Sequence, residues 1–199
     1  MFRYASLALF GLVLALPLQA GKFNKVLSVG DQAPEWAGLP GTDGKNHALA
    51  DLKNKDVVVV VVTCNHCPIA VAYEDRIIDF TKKYAGADSK VAVVAINVNN
   101  LDADKLPKMK ERAKEKGFNF PYLYDESQKI GKAYGATVTP EFFVLDKNRK
   151  VVYMGAMDDT NSANAVKEKY LEAAVDAALK GEKIANTETK GRGCSVKYD

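Results

Sequence analysis

The sequence has few residues of the types that bind metals or form disulfides, with 3 cysteines and 2 histidines among 199 residues. Its net charge of +3 is small, and its lysines and acids are interspersed instead of gathered in blocks. This balance argues against a nucleic-acid groove or a polybasic membrane patch. A content of 47% hydrophobic and 27% charged residues is ordinary for a globular chain, and the length suits one domain with a sizeable core.

The start of the chain lacks an apolar run long enough to cross a membrane. Residues 4–18 are uncharged and mostly apolar, but this stretch falls short of the ~20 residues that a spanning helix needs. Arg3 before the stretch, Pro17 near its end and the small Ala20 behind it have the layout of a secretory signal peptide. We expect cleavage after Ala20, no stable membrane anchor afterwards, and a periplasmic or secreted mature protein.

Export changes what the three cysteines indicate, because disulfides form and persist outside the cytosol. Cys64 and Cys67 are so close in sequence that a bridge between them closes too small a loop to stabilise the fold much. Their spacing is typical of a redox-active dithiol. A zinc site needs four ligands, and the remaining candidates, Cys194, His47 and His66, lack paired spacing.

Hydrophobic patterning predicts an α/β fold with a central mixed β-sheet flanked by helices on both faces. The consecutive valines at 57–62 show no alternation, which indicates a central strand buried on both faces. A helix is predicted over 65–84, where apolar residues recur at spacings of three and four, and a second buried strand over 91–98. The other predicted elements are an edge strand at 36–39, a lysine-rich helix ending near Gly117, a strand at 121–124, a helix at 127–134, a hairpin of 141–146 and 151–157, and a last helix at 163–179.

The chain is predicted to have one domain between two accessory segments. After the signal peptide at 1–20, residues 21–33 form a lead-in, and residues 34–180 form the domain. Residues 181–199 are polar and lack periodicity, so we predict a flexible C-terminal tail that carries Cys194.

The motif Cys64-Asn65-His66-Cys67 lies between the end of a predicted strand and the start of a predicted helix. A thiolate at a helix N-terminus faces unpaired N–H groups and the positive end of the macrodipole, so we expect the pKa of Cys64 to be lowered. A protonated His66 would add to this effect. The prediction is that Cys64 attacks a partner disulfide and that Cys67, one turn later, resolves the mixed disulfide.

These motifs resemble the thioredoxin superfamily, and most closely its exported redoxin branch of peroxiredoxin-like and cytochrome-maturation-type proteins. The matching features between residues 30 and 180 are Gly30-Asp31-Gln32-Ala33-Pro34, the valine strand running into the cysteine motif, Tyr134-Gly135-Ala136-Thr137-Val138-Thr139-Pro140, and the hairpin that contains Phe142-Phe143-Val144-Leu145-Asp146. The resemblance implies a thioredoxin-like fold and a thiol–disulfide oxidoreductase that acts on protein disulfides or dithiols, with no cofactor and no metal. It also implies that Pro140 is a cis-proline facing the dithiol and that the backbone of Thr139 pairs with substrate peptide.

The sequence departs from the superfamily pattern around the dithiol. Thr63 stands where an aromatic residue is usual, and the central strand has valines where thioredoxins carry a buried acid. The proton acceptor for Cys67 must therefore come from elsewhere, and Glu141 and Glu74 are the candidates. The direction of electron flow stays open, because His66 before Cys67 resembles the oxidising enzymes while the surrounding fold resembles the exported reductases.

Two other functions are weaker alternatives. A peroxiredoxin-like thiol peroxidase would need a Pro-x-x-x-Thr-x-x-Cys segment, but Thr63 adjoins Cys64 and that proline is missing. A copper-binding module of this fold would use a wider cysteine spacing and a distant histidine, and no histidine follows His66. Two uses of Cys194 also remain open: exchange with the Cys64–Cys67 pair, as a shuttle or a cap on the oxidised enzyme, and an intermolecular disulfide that gives a dimer.

Overall fold

The computed structural model describes residues 21–199, so the predicted signal peptide lies outside the described residues. No helix in residues 21–199 is long and apolar enough to cross a membrane. The elements, in chain order, are β1 (Leu39–Pro40), β2 (Asn46–His47), β3 (Val57–Thr63), α1 (Pro68–Tyr84), β4 (Val91–Asn97), α2 (Leu106–Lys116), β5 (Tyr122–Tyr124), α3 (Lys129–Ala133), β6 (Val138–Thr139), β7 (Glu141–Leu145), β8 (Val151–Gly155), α4 (Tyr170–Lys180) and β9 (Cys194–Ser195).

Five strands form the central sheet in the order β5-β4-β3-β7-β8. The first three are parallel to one another, whereas β7 runs antiparallel to both β3 and β8. The crossover from β3 to β4 passes through α1, and β7 and β8 form the predicted hairpin. The sheet is therefore mixed, as the sequence predicts.

The valines of β3 are buried on both faces of this sheet, each at most 1% exposed. Because successive side chains of a strand point to opposite faces, residues 57, 59 and 61 pack in one cluster with side chains of α1, α2 and α4. Residues 58, 60 and 62 pack in the other cluster, with α3 and the N-terminal segment around Trp36. Helices thus cover both faces, and the predicted fold class is confirmed.

The carboxyl ends of β3, β4 and β5 meet at one edge of the sheet because these strands are parallel. Cys64 directly follows β3, and Asn97 is the last residue of β4. The loop after β4 contains a short 3₁₀ turn at Asp102–Asp104. The fold therefore brings the cysteine motif and this acidic turn to the same edge, where α/β proteins tend to place their sites.

Two predicted helices begin later than expected. The helix predicted from residue 65 starts at Pro68, because a residue before proline is pushed out of the helical region and Cys67 is extended. The helix predicted from residue 163 starts at Tyr170. In the segment before it, a carboxylate oxygen of Asp159 accepts hydrogen bonds from the N–H groups of residues 167 and 168, at 3.0 and 3.2 Å, which holds this segment as a loop.

The C-terminal segment predicted to be a flexible tail is docked on the domain, so that prediction is wrong. β9 pairs antiparallel with β6, and Val196 is 9% exposed. Beyond it, the Lys197 N–H donates to Asn99 Oδ1 at 2.7 Å, and the Asp199 N–H donates to Gln128 Oε1 at 2.8 Å. Backbone pairing and side-chain amides hold the segment, which is why hydrophobic periodicity does not reveal it.

Candidate active site

Cys64 is buried at the end of β3, with 3% of its surface exposed. Its sulfur lies 3.1 Å from the hydroxyl oxygen of Thr139. Burial raises the pKa of the Cys64 thiol from 9.0 to about 11, and the charge of Asp104 adds to the rise. Hydrogen bonds from the Thr139 hydroxyl and from the N–H of Cys67 lower this pKa, but by less than burial raises it.

The prediction of a lowered Cys64 pKa is therefore wrong for this state of the protein. It assumed that Cys64 lies at the start of a helix, but α1 begins at Pro68 and Cys67 is its N-cap. The Cys67 sulfur accepts a hydrogen bond from the N–H of Ala70 at 3.4 Å. An N–H group at the amino end of the helix thus contacts the sulfur of Cys67. At Cys64, burial is the largest influence on the thiol pKa.

Cys67 is fully buried and is disulfide-bonded to Cys194, with the two Cα atoms 6.0 Å apart. The two cysteines of the motif are therefore not joined to each other in this state, and Cys64 is a free thiol. The cause is the docked tail, because β9 places Cys194 opposite Thr139. Cys194 forms an intramolecular disulfide, so in this state it is not available for the disulfide-linked dimer.

Thr139 and Pro140 form the wall of the site opposite the two cysteines. The peptide bond between them is cis, as predicted. The Cys67 sulfur lies 3.4 Å from the Thr139 carbonyl oxygen, while the Cys64 sulfur lies near its hydroxyl. Thr139 itself is fully buried. One residue therefore contacts both sulfurs of the motif, and its strand is paired with the tail.

Asp104 is a fully buried carboxylate beside the motif, which the sequence analysis missed. Its Oδ2 pairs with Nδ1 of His66. Its Oδ1 accepts hydrogen bonds from the Asn65 N–H at 2.7 Å, the His66 N–H at 3.3 Å and the Asn97 side-chain amide at 3.3 Å. The carboxylate thereby orients the imidazole and fixes the backbone between the two cysteines.

The signal that reveals this acid is topological. The superfamily pattern directs attention to an acid on β3, whose positions are valines, whereas Asp104 comes from the turn after the neighbouring strand β4. Polar residues that follow parallel strands gather at one sheet edge, so an acid in that loop is expected near Cys64.

The thiol of Cys64, the imidazole of His66 and the carboxylate of Asp104 offer ligand atoms within 4.8 Å of one another. This donor set would suit a borderline metal ion. Both carboxylate oxygens of Asp104 already accept hydrogen bonds, and the Cys64 sulfur contacts the Thr139 hydroxyl. The carboxylate and the thiol therefore already have hydrogen-bond partners within the protein, which does not favour a metal centre.

The two glutamates considered as proton acceptors have different surroundings. Glu74 is buried and is held by Arg112, with N–O distances of 2.9 and 2.7 Å, so its carboxylate is engaged in an ion pair. Glu141 is also buried, and burial raises its pKa. It accepts hydrogen bonds from the N–H groups of Thr137 and Val138 at 2.8 and 3.3 Å, so it supports the turn that leads into β6.

Comparison with known proteins identifies the family. A model of the Redoxin family matches residues 28–174. The chain belongs to the Redoxin family. The thiol-disulfide oxidoreductase ResA of Bacillus thuringiensis (strain Al Hakam) is 27% identical over 156 residues, covering 76% of this chain and 84% of that protein. The predicted resemblance to the redoxin branch is confirmed, and the name of this relative agrees with the predicted enzyme class.

Solved structures give the same fold. A hypothetical protein from Sinorhizobium meliloti 1021 is 36% identical to this redoxin with a TM-score of 0.81, covering 88% of this chain and 97% of that one. The peroxidoxin BcpB of Mycobacterium tuberculosis is 22% identical with a TM-score of 0.55, covering 76% of this chain and 94% of that one. At that identity the second likeness concerns the fold alone.

Proposed function

We propose that this redoxin is an exported thiol–disulfide oxidoreductase in which Cys64 is the nucleophile and Cys67 the resolving thiol. The observation that carries the proposal is the contact of both sulfurs with Thr139, at 3.1 Å from its hydroxyl and 3.4 Å from its carbonyl oxygen, beside the cis-proline Pro140. A substrate sulfur brought to this wall would lie next to both thiols. The sequence of residues 1–20 supports a periplasmic or secreted location.

The reaction starts from the protein with both thiols reduced. The Cys64 thiolate attacks one sulfur of a substrate disulfide, a mixed disulfide forms, and the other substrate sulfur leaves as a thiolate. The Cys67 thiolate then attacks the Cys64 sulfur, so that a Cys64–Cys67 bond forms and the second substrate thiolate is released. Two electrons pass from the cysteine pair to the substrate, and the reverse sequence oxidises a substrate dithiol.

His66 is oriented by Asp104 and has a ring nitrogen within 4.8 Å of the Cys64 sulfur, and it is the group we assign to proton exchange with Cys64. Pro140 and Thr139 shape the groove and present the backbone for protein substrates. Glu141 supports that groove through the N–H groups of residues 137 and 138, and its role as proton acceptor for Cys67 stays a prediction.

The test is an insulin-disulfide reduction assay driven by dithiothreitol. Cys64→Ser is expected to abolish the acceleration, and Cys67→Ser to accumulate a mixed disulfide at Cys64 that mass spectrometry detects. Ser162→Ala, on an exposed loop, is the control for the substitutions. A Cys64→Ser variant that reduces insulin as fast as the unmodified chain would contradict the proposal.

The direction of electron flow is decided by the reduction potential of the Cys64–Cys67 couple. A value well below about −200 mV favours a reductase, and a value nearer about −120 mV favours an oxidase. Equilibration with glutathione buffers of known ratio, read by alkylation and mass, measures the potential directly.

A further inference from the structure

The short strand beside the cis-proline already has a peptide partner, which is the C-terminal segment of the same chain. β9 runs antiparallel to β6 with Cys194 opposite Thr139 and Ser195 opposite Val138. The N–H of Val196 continues the pairing by donating to the Thr137 carbonyl oxygen at 2.9 Å. A substrate peptide that paired with Thr139 would need the backbone positions that the tail now occupies.

The tail approaches this strand so closely that two of its residues must be small. A Cβ atom at Gly193 would overlap the Thr139 carbonyl, and a Cβ atom at Gly191 would lie 2.6 Å from a methyl group of Val138. Neither glycine has a positive φ, so it is space, not backbone conformation, that excludes a side chain at these positions. Gly191 and Gly193, which precede Cys194, therefore lie too close to β6 to carry side chains.

The end of the chain is anchored beyond the paired residues. The side-chain amide of Gln128 brackets it, donating to the Lys197 carbonyl oxygen at 2.8 Å and accepting from the Asp199 N–H. The Tyr198 hydroxyl donates to the Ala136 carbonyl oxygen at 2.8 Å. Together with the disulfide, these contacts hold the segment in register with β6.

The three cysteines meet at the point where the tail crosses the site. Cys64, Cys67 and Ala70 form one buried cluster against which Cys194 packs. Cys67 is bonded to Cys194, and Cys64 is the free thiol of the cluster. A free thiol beside a disulfide is the arrangement that thiol–disulfide exchange requires.

We propose that residues 191–199 are an internal occupant of the peptide-binding edge and that Cys194 is a third redox thiol of the enzyme. The inference rests on the proposed function of Cys64 and Cys67. Attack of the Cys64 thiolate on the Cys67 sulfur forms a Cys64–Cys67 bond and breaks the Cys67–Cys194 bond. Cys194 leaves as a thiolate and takes up the proton that Cys64 gave up, so the step needs no external oxidant or reductant.

The exchange connects a closed and an open form of the oxidised enzyme. In the closed form the tail covers the edge of β6, Cys194 holds Cys67, and Cys64 is buried. In the open form the Cys64–Cys67 disulfide is present, and release of the tail frees the edge for an extended peptide that carries a cysteine. A small thiol does not need that edge, so the tail restricts peptide substrates more than small ones.

The experiment compares Gly193→Val with Gly86→Val in the full-length oxidised protein. Valine at 193 would collide with Thr139, whereas a Cβ atom at 86 meets nothing within 4 Å, so Gly86→Val is the matched control. Each protein is mixed with a reduced synthetic peptide of residues 191–199 or with 2-mercaptoethanol, and mixed-disulfide formation is followed by mass spectrometry. We expect Gly193→Val to react with the peptide about tenfold faster than the control, equivalent to ~1.4 kcal/mol of lost tail docking. The rate with 2-mercaptoethanol should change much less.

Equal peptide rates for the two variants would overturn the inference. If Gly193→Val unfolds, Cys194→Ser replaces it, and the same acceleration toward the peptide is expected because no disulfide holds the tail. No acceleration in Cys194→Ser also overturns the inference. Failure of the proposed function gives a different result, since Cys64→Ser would then match the unmodified chain in insulin reduction whatever the tail does.

Discussion

The central strand β3 and the C-terminal strand β9 are both fixed in the structure, but by different interactions. β3 is a run of valines, each at most 1% exposed, that packs into a hydrophobic cluster on either face of the sheet. The segment around β9 is mostly polar: Val196 packs on one of these clusters, but backbone pairing, the Gln128 side-chain amide and one disulfide supply most of its contacts. Burial of apolar surface is hard to reverse, whereas a disulfide within reach of a free thiol is chemically reversible.

This difference separates the scaffold of the enzyme from its adjustable part. The sheet must hold Cys64 in place through every step, so the contribution of its apolar packing to stability should not depend on redox conditions. The tail should dock more or less tightly as its disulfide forms and breaks.

The largest effect on stability is expected from a substitution in the apolar clusters that pack against β3. Phe143 on β7 is fully buried and lies opposite Val60 of β3. Phe143→Ala should lower the free energy of unfolding by ~3–5 kcal/mol, because it removes buried contacts and leaves a cavity. Denaturant unfolding measures this cost, which should be the same with and without reductant. A cost below about 1 kcal/mol would show that this cluster is not the main source of stability.

The second effect concerns the disulfide that holds the tail. The sequence separation of Cys67 and Cys194 is 127 residues, so the bond restricts the unfolded chain strongly. Oxidised protein should be more stable than reduced protein by ~2–4 kcal/mol, measured by urea unfolding with and without dithiothreitol. Cys194→Ser should lose most of this difference. If Cys194→Ser kept the full difference in stability between oxidised and reduced protein, the stabilising disulfide would be Cys64–Cys67 instead.

A smaller effect on stability is expected from substitution of Asp104 beside the cysteine motif. Asp104→Asn puts an amide N–H₂ where the carboxylate accepts hydrogen bonds from the motif, and should cost ~1–3 kcal/mol of stability. It should also slow insulin reduction, since His66 loses its orienting partner. Asp102→Asn is the control, because the Asp102 side chain is 97% exposed. Equal behaviour of the two variants would remove Asp104 from the site.

The last prediction concerns how the alkylation rate of Cys64 depends on pH. In the closed form burial raises the pKa of this thiol to about 11, so the thiol predominates at neutral pH and the reactive thiolate grows as the pH rises. Alkylation of Cys64 in oxidised protein should therefore accelerate about tenfold per pH unit between about pH 7 and pH 10. A plateau near pH 7 would mean that the thiolate is already formed and that the site is open.

The sequence predicts the scaffold better than the site, for physical reasons. The valines at 57–62 predict the strand that is buried on both faces, and the resemblance to the redoxin branch predicts the cis peptide before Pro140. The docking of β9 depends on backbone hydrogen bonds, which any sequence can make, and on small residues whose role appears only against Thr139. The sequence leaves exchange of Cys194 with the Cys64–Cys67 pair as one of two open uses, but a tail predicted to be flexible does not indicate a docked Cys67–Cys194 bond or a buried Cys64.

The most direct test is disulfide mapping of the oxidised protein, quenched in acid, alkylated and digested before mass spectrometry. The docked tail predicts a dominant peptide pair that joins Cys67 to Cys194, with the alkyl label on Cys64. Oxidised protein in which Cys64 is joined to Cys67 throughout, with the label only on Cys194, would contradict it.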